Sequence, residues 1–212
     1  MPKNQHKPEF IKKIETSLGS KLPGPEAHDI MRVGPRIPFS IEKMTKSPVA
    51  SSVLILLFEE NNSFNFILTL RSEKVETHKG QISLPGGVQE KNESLKDTAL
   101  REAEEEIGVL PKTIEIIGEL SSIYIPFSGY KVHPYVGWAS APPKLIPSAH
   151  EVERIIIVPV NELIDEKNQT QKKTNHQINK KNYPIDDCHM QSQLYSVSLK
   201  KNESTINLEL AS

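Results

Sequence analysis

The sequence predicts an α+β chain, folded as a layered α/β/α domain, and three observations predict it. Strand-length apolar runs outnumber helical patterns along the chain. Two of those runs, Val49 to Phe58 and Phe64 to Arg71, are separated only by the polar stretch Glu59 to Ser63, which is the spacing of a hairpin. One segment, Glu93 to Ile107, instead repeats apolar residues every fourth position, at Leu95, Ala99, Ala103 and Ile107, the period of a helix lying on a sheet.

The other elements follow in order. Phe10, Ile11, Ile14 and Leu18 have helical spacing within residues 1–20, and Gly19 suits the stop. Residues 21–48 hold Pro23, Pro25, Pro35, Pro38 and Pro48 and read as an extended lead-in. Ile82 to Leu84 forms a short strand before a Pro85-Gly86-Gly87 turn. Gly108 fits the C-terminal cap of the 93–107 helix, with Pro111 beyond it. Ile114 to Ser121, Lys131 to Ala139 and Arg154 to Val160 read as strands, and Asn161 as the start of a short helix through Ile164. Residues 165–182, rich in Lys, Asn and Gln, read as a mobile loop, and Leu194 to Leu199 pairs with Thr205 to Leu210 as a terminal hairpin. The organisation expected is a lead-in over 1–48, a central domain over 49–164, and a polar loop and hairpin over 165–212.

With 26 basic and 27 acidic residues the net charge is −1, which gives no electrostatic case for nucleic acid or a membrane surface as partner. The one cysteine, Cys188, forms no internal disulfide, and no signal-peptide pattern opens the chain, so the expected compartment is the cytoplasm. The longest apolar run, Val53 to Phe58, is too short to span a bilayer. The sequence leaves the oligomeric state open, a homodimer included.

Chemistry concentrates in GVQEKNESLKDTALREAEEEIGV, Gly87 to Val109. At about 100° per residue, Glu102, Glu105 and Glu106 share one face of the predicted helix, while Glu104 points away. Carboxylates this close repel one another unless a cation neutralises them, and hard oxygen ligands suit Mg²⁺ or Mn²⁺. A Glu-rich helix is also, by itself, an ordinary solvated face. What separates the two readings is the full pattern. Gly87, Glu93, Arg101, Glu102, Ala103, Glu105, Glu106, Gly108 and Val109 fill every fixed position of the Nudix box. A chance match is rarer than about one in 10⁵ at ordinary residue frequencies.

The resemblance to Nudix hydrolases implies an α/β/α sandwich with a mixed sheet and a loop-helix-loop catalytic box. It implies Glu102, Glu105 and Glu106 as metal ligands and catalytic acids, joined by the Gly86 carbonyl, with Glu93 and Arg101 orienting the helix through a salt bridge. The reaction implied is metal-assisted attack of water on a diphosphate of a small nucleotide-containing substrate.

Residues 67–87, ILTLRSEKVETHKGQISLPGG, narrow the resemblance. Leu68, Thr69, Arg71, Ser72, Gly80, Pro85, Gly86 and Gly87 match the second signature of the coenzyme A pyrophosphatase subfamily, and His78 and Gln81 match its HxGQ run. That implies hydrolysis of coenzyme A or an acyl derivative to 4′-phosphopantetheine and 3′,5′-ADP. Ile67 and Leu84 are conservative departures. Glu76 reverses the charge of an Arg in the signature, and the tail YSVSLKKNESTINLELAS lacks the Trp-Gly helix of many members.

Several residues keep two readings. Arg71 is a phosphate ligand, its guanidinium matching phosphate oxygens, or a strand-end surface charge. His78 is structural or catalytic. Glu151, near Glu153 in SAHEVERIIIVPV, is an extra acid/base or a solvated loop acid. Trp138, Tyr130 and Phe127 read as core or cleft wall. Two other functions remain open: a Nudix hydrolase of ADP-ribose or another nucleoside diphosphate derivative, and a non-catalytic ligand-binding module, against which the complete set of box acids counts.

Overall fold

The computed structural model describes residues 7–24, 27–28, 47–75, 80–125, 128–165, 169–176, 190–201 and 204–209. Glu76, His78, Phe127 and Cys188 lie outside them.

The larger of two compact units comprises Met1–Pro25 and Pro48–Asn161. Its sheet is mixed. Strand β1 (Val49–Glu60) and β2 (Ser63–Arg71) form the expected hairpin, turning through Asn61 and Asn62, both at positive φ, a conformation Asn tolerates. On its other edge β1 runs parallel to β7 (Tyr130–Ala139), which carries β5 (Glu115–Glu119) and β6 (Ile123–Ile125) antiparallel. Beyond β2 lie β3 (Ile82–Ser83) and β8 (Val152–Pro159). The Pro85-Gly86-Gly87 stretch is not the turn the sequence suggests. Gly86–Val88 forms β4, antiparallel to Ser51–Val53 of β1, because an added Cβ at Gly86 would strike the Ser52 carbonyl oxygen and the glycine lets the two backbones close.

Side chains alternate across β1. Leu54, Leu56 and Phe58 join Ile67 and Ala139 on one face, under Ala99, Ala103 and Ile107 of helix α2 (Leu95–Ile107). The two alanines let the helix sit low on the strand. The opposite face carries helix α1 (Glu9–Leu18): Phe10 stacks at 4.5 Å on Phe64, which lies 6.2 Å from Trp138, and Leu18 sits against Gly118. The fold is therefore α+β, with helices on both faces of a mixed sheet, as the sequence predicts. Trp138 belongs to the core, 5 % exposed. A short helix α3 (Val160–Ile164) follows β8.

The second unit, Glu26–Ser47 and Glu162–Ser212, contains a three-stranded antiparallel sheet whose middle strand lies between the other two in antiparallel pairing. Strands β10 (Met190–Lys201) and β11 (Ser204–Glu209) are the expected terminal hairpin. The polar stretch read as a loop differs: Gln169–His176 is strand β9, laddered to β10 over its whole length. Its partner lies more than a dozen residues away, and such pairing leaves no local hydrophobic signal.

Candidate active site

Helix α2 is built to stop and start where the site requires. Ser94 caps its N-terminus, accepting the Asp97 amide at 3.1 Å and donating to the Asp97 carboxylate at 2.6 Å. At the other end Gly108 adopts φ 72°, donating to Glu104, while the Val109 amide reaches the Ala103 carbonyl. The loop before β8 then meets the last turn: Ile146 donates to the Ile107 carbonyl and Ser148 to that of Glu106, each at 2.9 Å. The same loop delivers Glu151, whose carbonyl accepts the Ser72 amide at 2.8 Å.

Arg101 ties this frame together. Its Nε and Nη2 grip Glu93 at 2.9 and 3.3 Å, and Nη2 also donates to the Val88 carbonyl of β4 at 3.2 Å. Its Nη1 stands between Glu102 and Glu105, 2.9 Å from a carboxylate oxygen of each. Glu93 takes further bonds from the Thr98 hydroxyl and the Glu90 amide. Above all the Arg101 bonds, against the cost of burial, hold its carboxyl at about 2. Sequence reasoning did not single out Thr98, Val88 or Ser148 as contributors. Two of them act through backbone atoms, which carry no sequence signature.

Glu102, Glu105 and Glu106 do project from one side of α2, but into different surroundings. Glu105 is 55 % exposed, Glu102 14 % and Glu106 only 4 % by side chain. Glu104 is exposed. Glu102 lies against Gly87, where any Cβ would collide with its carboxylate. Burial raises its pKa, with Arg101 opposing. Burial likewise pushes Glu106 up to about 7; Arg71 opposes, and the charges of Glu102 and Glu151 add to the rise. Glu151 is half-buried, near enough for its charge to act on both acids. Arg71 is not a plain surface charge either: it is 24 % exposed and its Nη1 stands 3.6 Å from Glu106.

Among the described residues, no three acidic, His or Cys side chains converge closely enough to hold a metal, and Arg101 Nη1 contacts both Glu102 and Glu105. The donor chemistry nevertheless fits a divalent cation. Five carboxylates (Glu93, Glu102, Glu105, Glu106, Glu151) face two guanidiniums (Arg71, Arg101), five against two, an excess of negative charge. The buried Glu106 Oε2 has no hydrogen-bond partner.

The model of the NUDIX domain matches residues 48–179, well over half of the chain. The chain belongs to the Nudix family. Nudix hydrolase 3 of Caenorhabditis elegans is 36% identical over 118 residues, covering 54% of this chain and 49% of that one. Nudix hydrolase 15, mitochondrial, of Arabidopsis thaliana is 36% identical over 138 residues, 62% of this chain and 47% of the other. The peroxisomal coenzyme A diphosphatase ndx-8 of C. elegans is 32% identical over 120 residues, 55% of this chain and 51% of that protein. The chain thus spans about half the length of the curated relatives it matches. This Nudix domain presents its box acids beside β4, and among its described residues no helix is long and apolar enough to cross a membrane.

Proposed function

We propose that the protein is a Nudix diphosphatase that hydrolyses a diphosphate bond in a small nucleotide-containing molecule, coenzyme A or an acyl-coenzyme A above others, releasing 4′-phosphopantetheine and 3′,5′-ADP. The observation that carries it is the buried carboxylate of Glu106, whose Oε2 has no hydrogen-bond partner, near the end of a complete Nudix box. Coenzyme A as substrate is supported by the signature over residues 67–87 and by likeness to a relative named as a coenzyme A diphosphatase.

In this reading Glu102, Glu105 and Glu106, with the Gly86 carbonyl, hold Mg²⁺ or Mn²⁺. The bound cation supplies charge neutralisation at the diphosphate and a more acidic water. Glu93 and Arg101 fix the helix against β4. Arg71 binds a phosphoryl oxygen, and Glu151 accepts or relays a proton beside Glu102 and Glu106. Water adds to phosphorus, the bridging P–O bond breaks, and the leaving phosphate monoester takes the electron pair. The proton lost by water passes to a carboxylate of the site.

ADP-ribose or another nucleoside diphosphate derivative is the second reading, favoured by Glu76, whose charge is opposite to that of the Arg in the signature. Incubation with coenzyme A and Mg²⁺, against an EDTA control, followed by chromatography, tests the first: metal-dependent 3′,5′-ADP is expected. Faster turnover of ADP-ribose at equal concentration overturns the coenzyme A assignment. Saturable binding without hydrolysis in excess Mg²⁺ overturns the enzyme reading. The compartment proposed is the cytoplasm, supported by the lone Cys188 and tested by fractionation; relatives carry mitochondrial and peroxisomal names, and enrichment in an organelle overturns it.

A further inference from the structure

Among the described residues two buried side-chain polar atoms lack any hydrogen-bond partner, Arg71 Nε and Glu106 Oε2, and they belong to one facing pair. The nearest approach of the two groups, Nη1 to Oε1, is 3.6 Å, too long for a hydrogen bond. A settled Arg–carboxylate bridge would instead close its fork with two short parallel bonds. Here the charges attract across a gap and each leaves one atom unmet.

The backbone holds both residues where they are. The Arg71 amide donates to Gln81 at 2.9 Å and its carbonyl accepts from Gly80 at 3.2 Å. The β2–β8 register shifts between Leu70 and Arg71, at the strand end that carries this side chain. Ser72, the next residue, is tied to Glu151, and the Glu106 carbonyl is tied to Ser148.

We propose that these unmet atoms are complementary halves of one seat for a cation-bound diphosphate, Glu106 Oε2 serving the cation and Arg71 Nε a phosphoryl oxygen, so that Arg71 opposes the cation alone and recruits the diphosphate once the cation is bound. The inference rests on the diphosphatase reading and adds a binding order to it. Without diphosphate, the guanidinium beside Glu106 already neutralises part of its charge and repels a second positive charge. With a cation on Glu106, Arg71 loses its counter-charge until a phosphate supplies one. The coupling is reciprocal: each ligand raises the affinity of the other by the same factor.

Binding, not turnover, tests this. Free Mn²⁺ is followed by electron paramagnetic resonance, and methylenediphosphonate binding by calorimetry with and without Mg²⁺. Arg71→Gln is expected to bind Mn²⁺ alone about threefold to tenfold tighter than wild type, through loss of charge repulsion. The same variant is expected to bind methylenediphosphonate with Mg²⁺ at least about tenfold more weakly, through loss of the guanidinium fork. Arg71→Lys keeps the charge, so its Mn²⁺ affinity stays within about twofold while diphosphonate still weakens. It carries the test if Arg71→Gln does not fold. A parallel fall in both affinities, or no change in either, overturns the coupled seat and leaves the diphosphatase reading standing. Wild-type protein that binds neither Mn²⁺ nor methylenediphosphonate with Mg²⁺ overturns both.

Discussion

The guanidinium of Arg101 holds the carboxylate of Glu93 through two nitrogens, Nε at 2.9 Å and Nη2 at 3.3 Å, and so fastens the body of helix α2 to the loop that precedes it. Glu93 is 14 % exposed, and the Thr98 hydroxyl and the Glu90 amide complete its shell. The pair also sets where Glu102 and Glu105 stand, because the same Arg101 reaches both.

An acid-dependent loss of stability follows. The Glu93 carboxyl is held at about 2, below its ordinary value of 4.5, chiefly by Arg101. A folded-state pKa below the unfolded one means the stabilisation is fully present above about pH 4.5 and is lost as pH falls toward 2. Glu93→Gln is expected to reduce stability at pH 7 by about 2 kcal/mol, with the gap to wild type closing as pH drops below 4.5. Urea melts of metal-free protein at pH 7, 4 and 3 measure it. A gap independent of pH would show that the charge of Glu93 is not what stabilises.

Glu106→Gln is nearly isosteric and keeps the packing of a residue only 4 % exposed. It removes a charged oxygen from the proposed cation seat, so turnover of coenzyme A is expected to fall by at least about 10²-fold, the scale at which an electrostatic group in a buried site is felt. Circular dichroism should show an unchanged fold. Retention of most activity in a folded variant sinks the assignment of Glu106.

The helix cap gives a prediction confined to stability. Ser94→Ala removes the oxygen that accepts the Asp97 amide, at a cost of about 1 kcal/mol. Ser94 is exposed and remote from Glu106, so kcat should stay within about twofold of wild type once the protein is folded. Thermal melts paired with initial rates check both halves.

Much of this was legible in the sequence, for identifiable reasons. Helix α2 announced itself through Leu95, Ala99, Ala103 and Ile107, of which the last three lie in one core cluster with Leu54 and Leu56, although it starts at Leu95 and leaves Glu93 in the loop before it. The box acids were visible because they are side chains at fixed helical intervals. What was hidden depends on backbone contact. The glycines at 86 and 87 look like a turn in one dimension, and only pairing with Ser52 and Val53 makes them strand β4. Strand β9 depends on a distant partner, β10. The loop that carries Glu151 is held to the end of α2 by bonds from the Ile146 and Ser148 amides, groups that nearly every residue type carries.

An added Cβ would meet different obstacles at the two glycines of β4. A Cβ at Gly86 would meet the Ser52 carbonyl and lie 2.7 Å from Val53 Cα, both backbone of the central strand, which cannot move without opening the β1–β4 ladder. Gly86→Ala is therefore expected to destabilise the metal-free protein by about 1–3 kcal/mol. A Cβ at Gly87 would meet instead the carboxylate of Glu102, the far end of a side chain that can swing away. Gly87→Ala should therefore leave the melting temperature within a few degrees of wild type while displacing Glu102 from the acidic cluster. Mn²⁺ affinity is expected to fall by about tenfold, the effect of misplacing one carboxylate ligand. Melting curves in EDTA together with Mn²⁺ titration of both variants make the comparison. If Gly87→Ala lost stability as Gly86→Ala does and kept its Mn²⁺ affinity, Glu102 would have no part in holding the cation, and Gly87 would serve only to let β4 lie close to the helix.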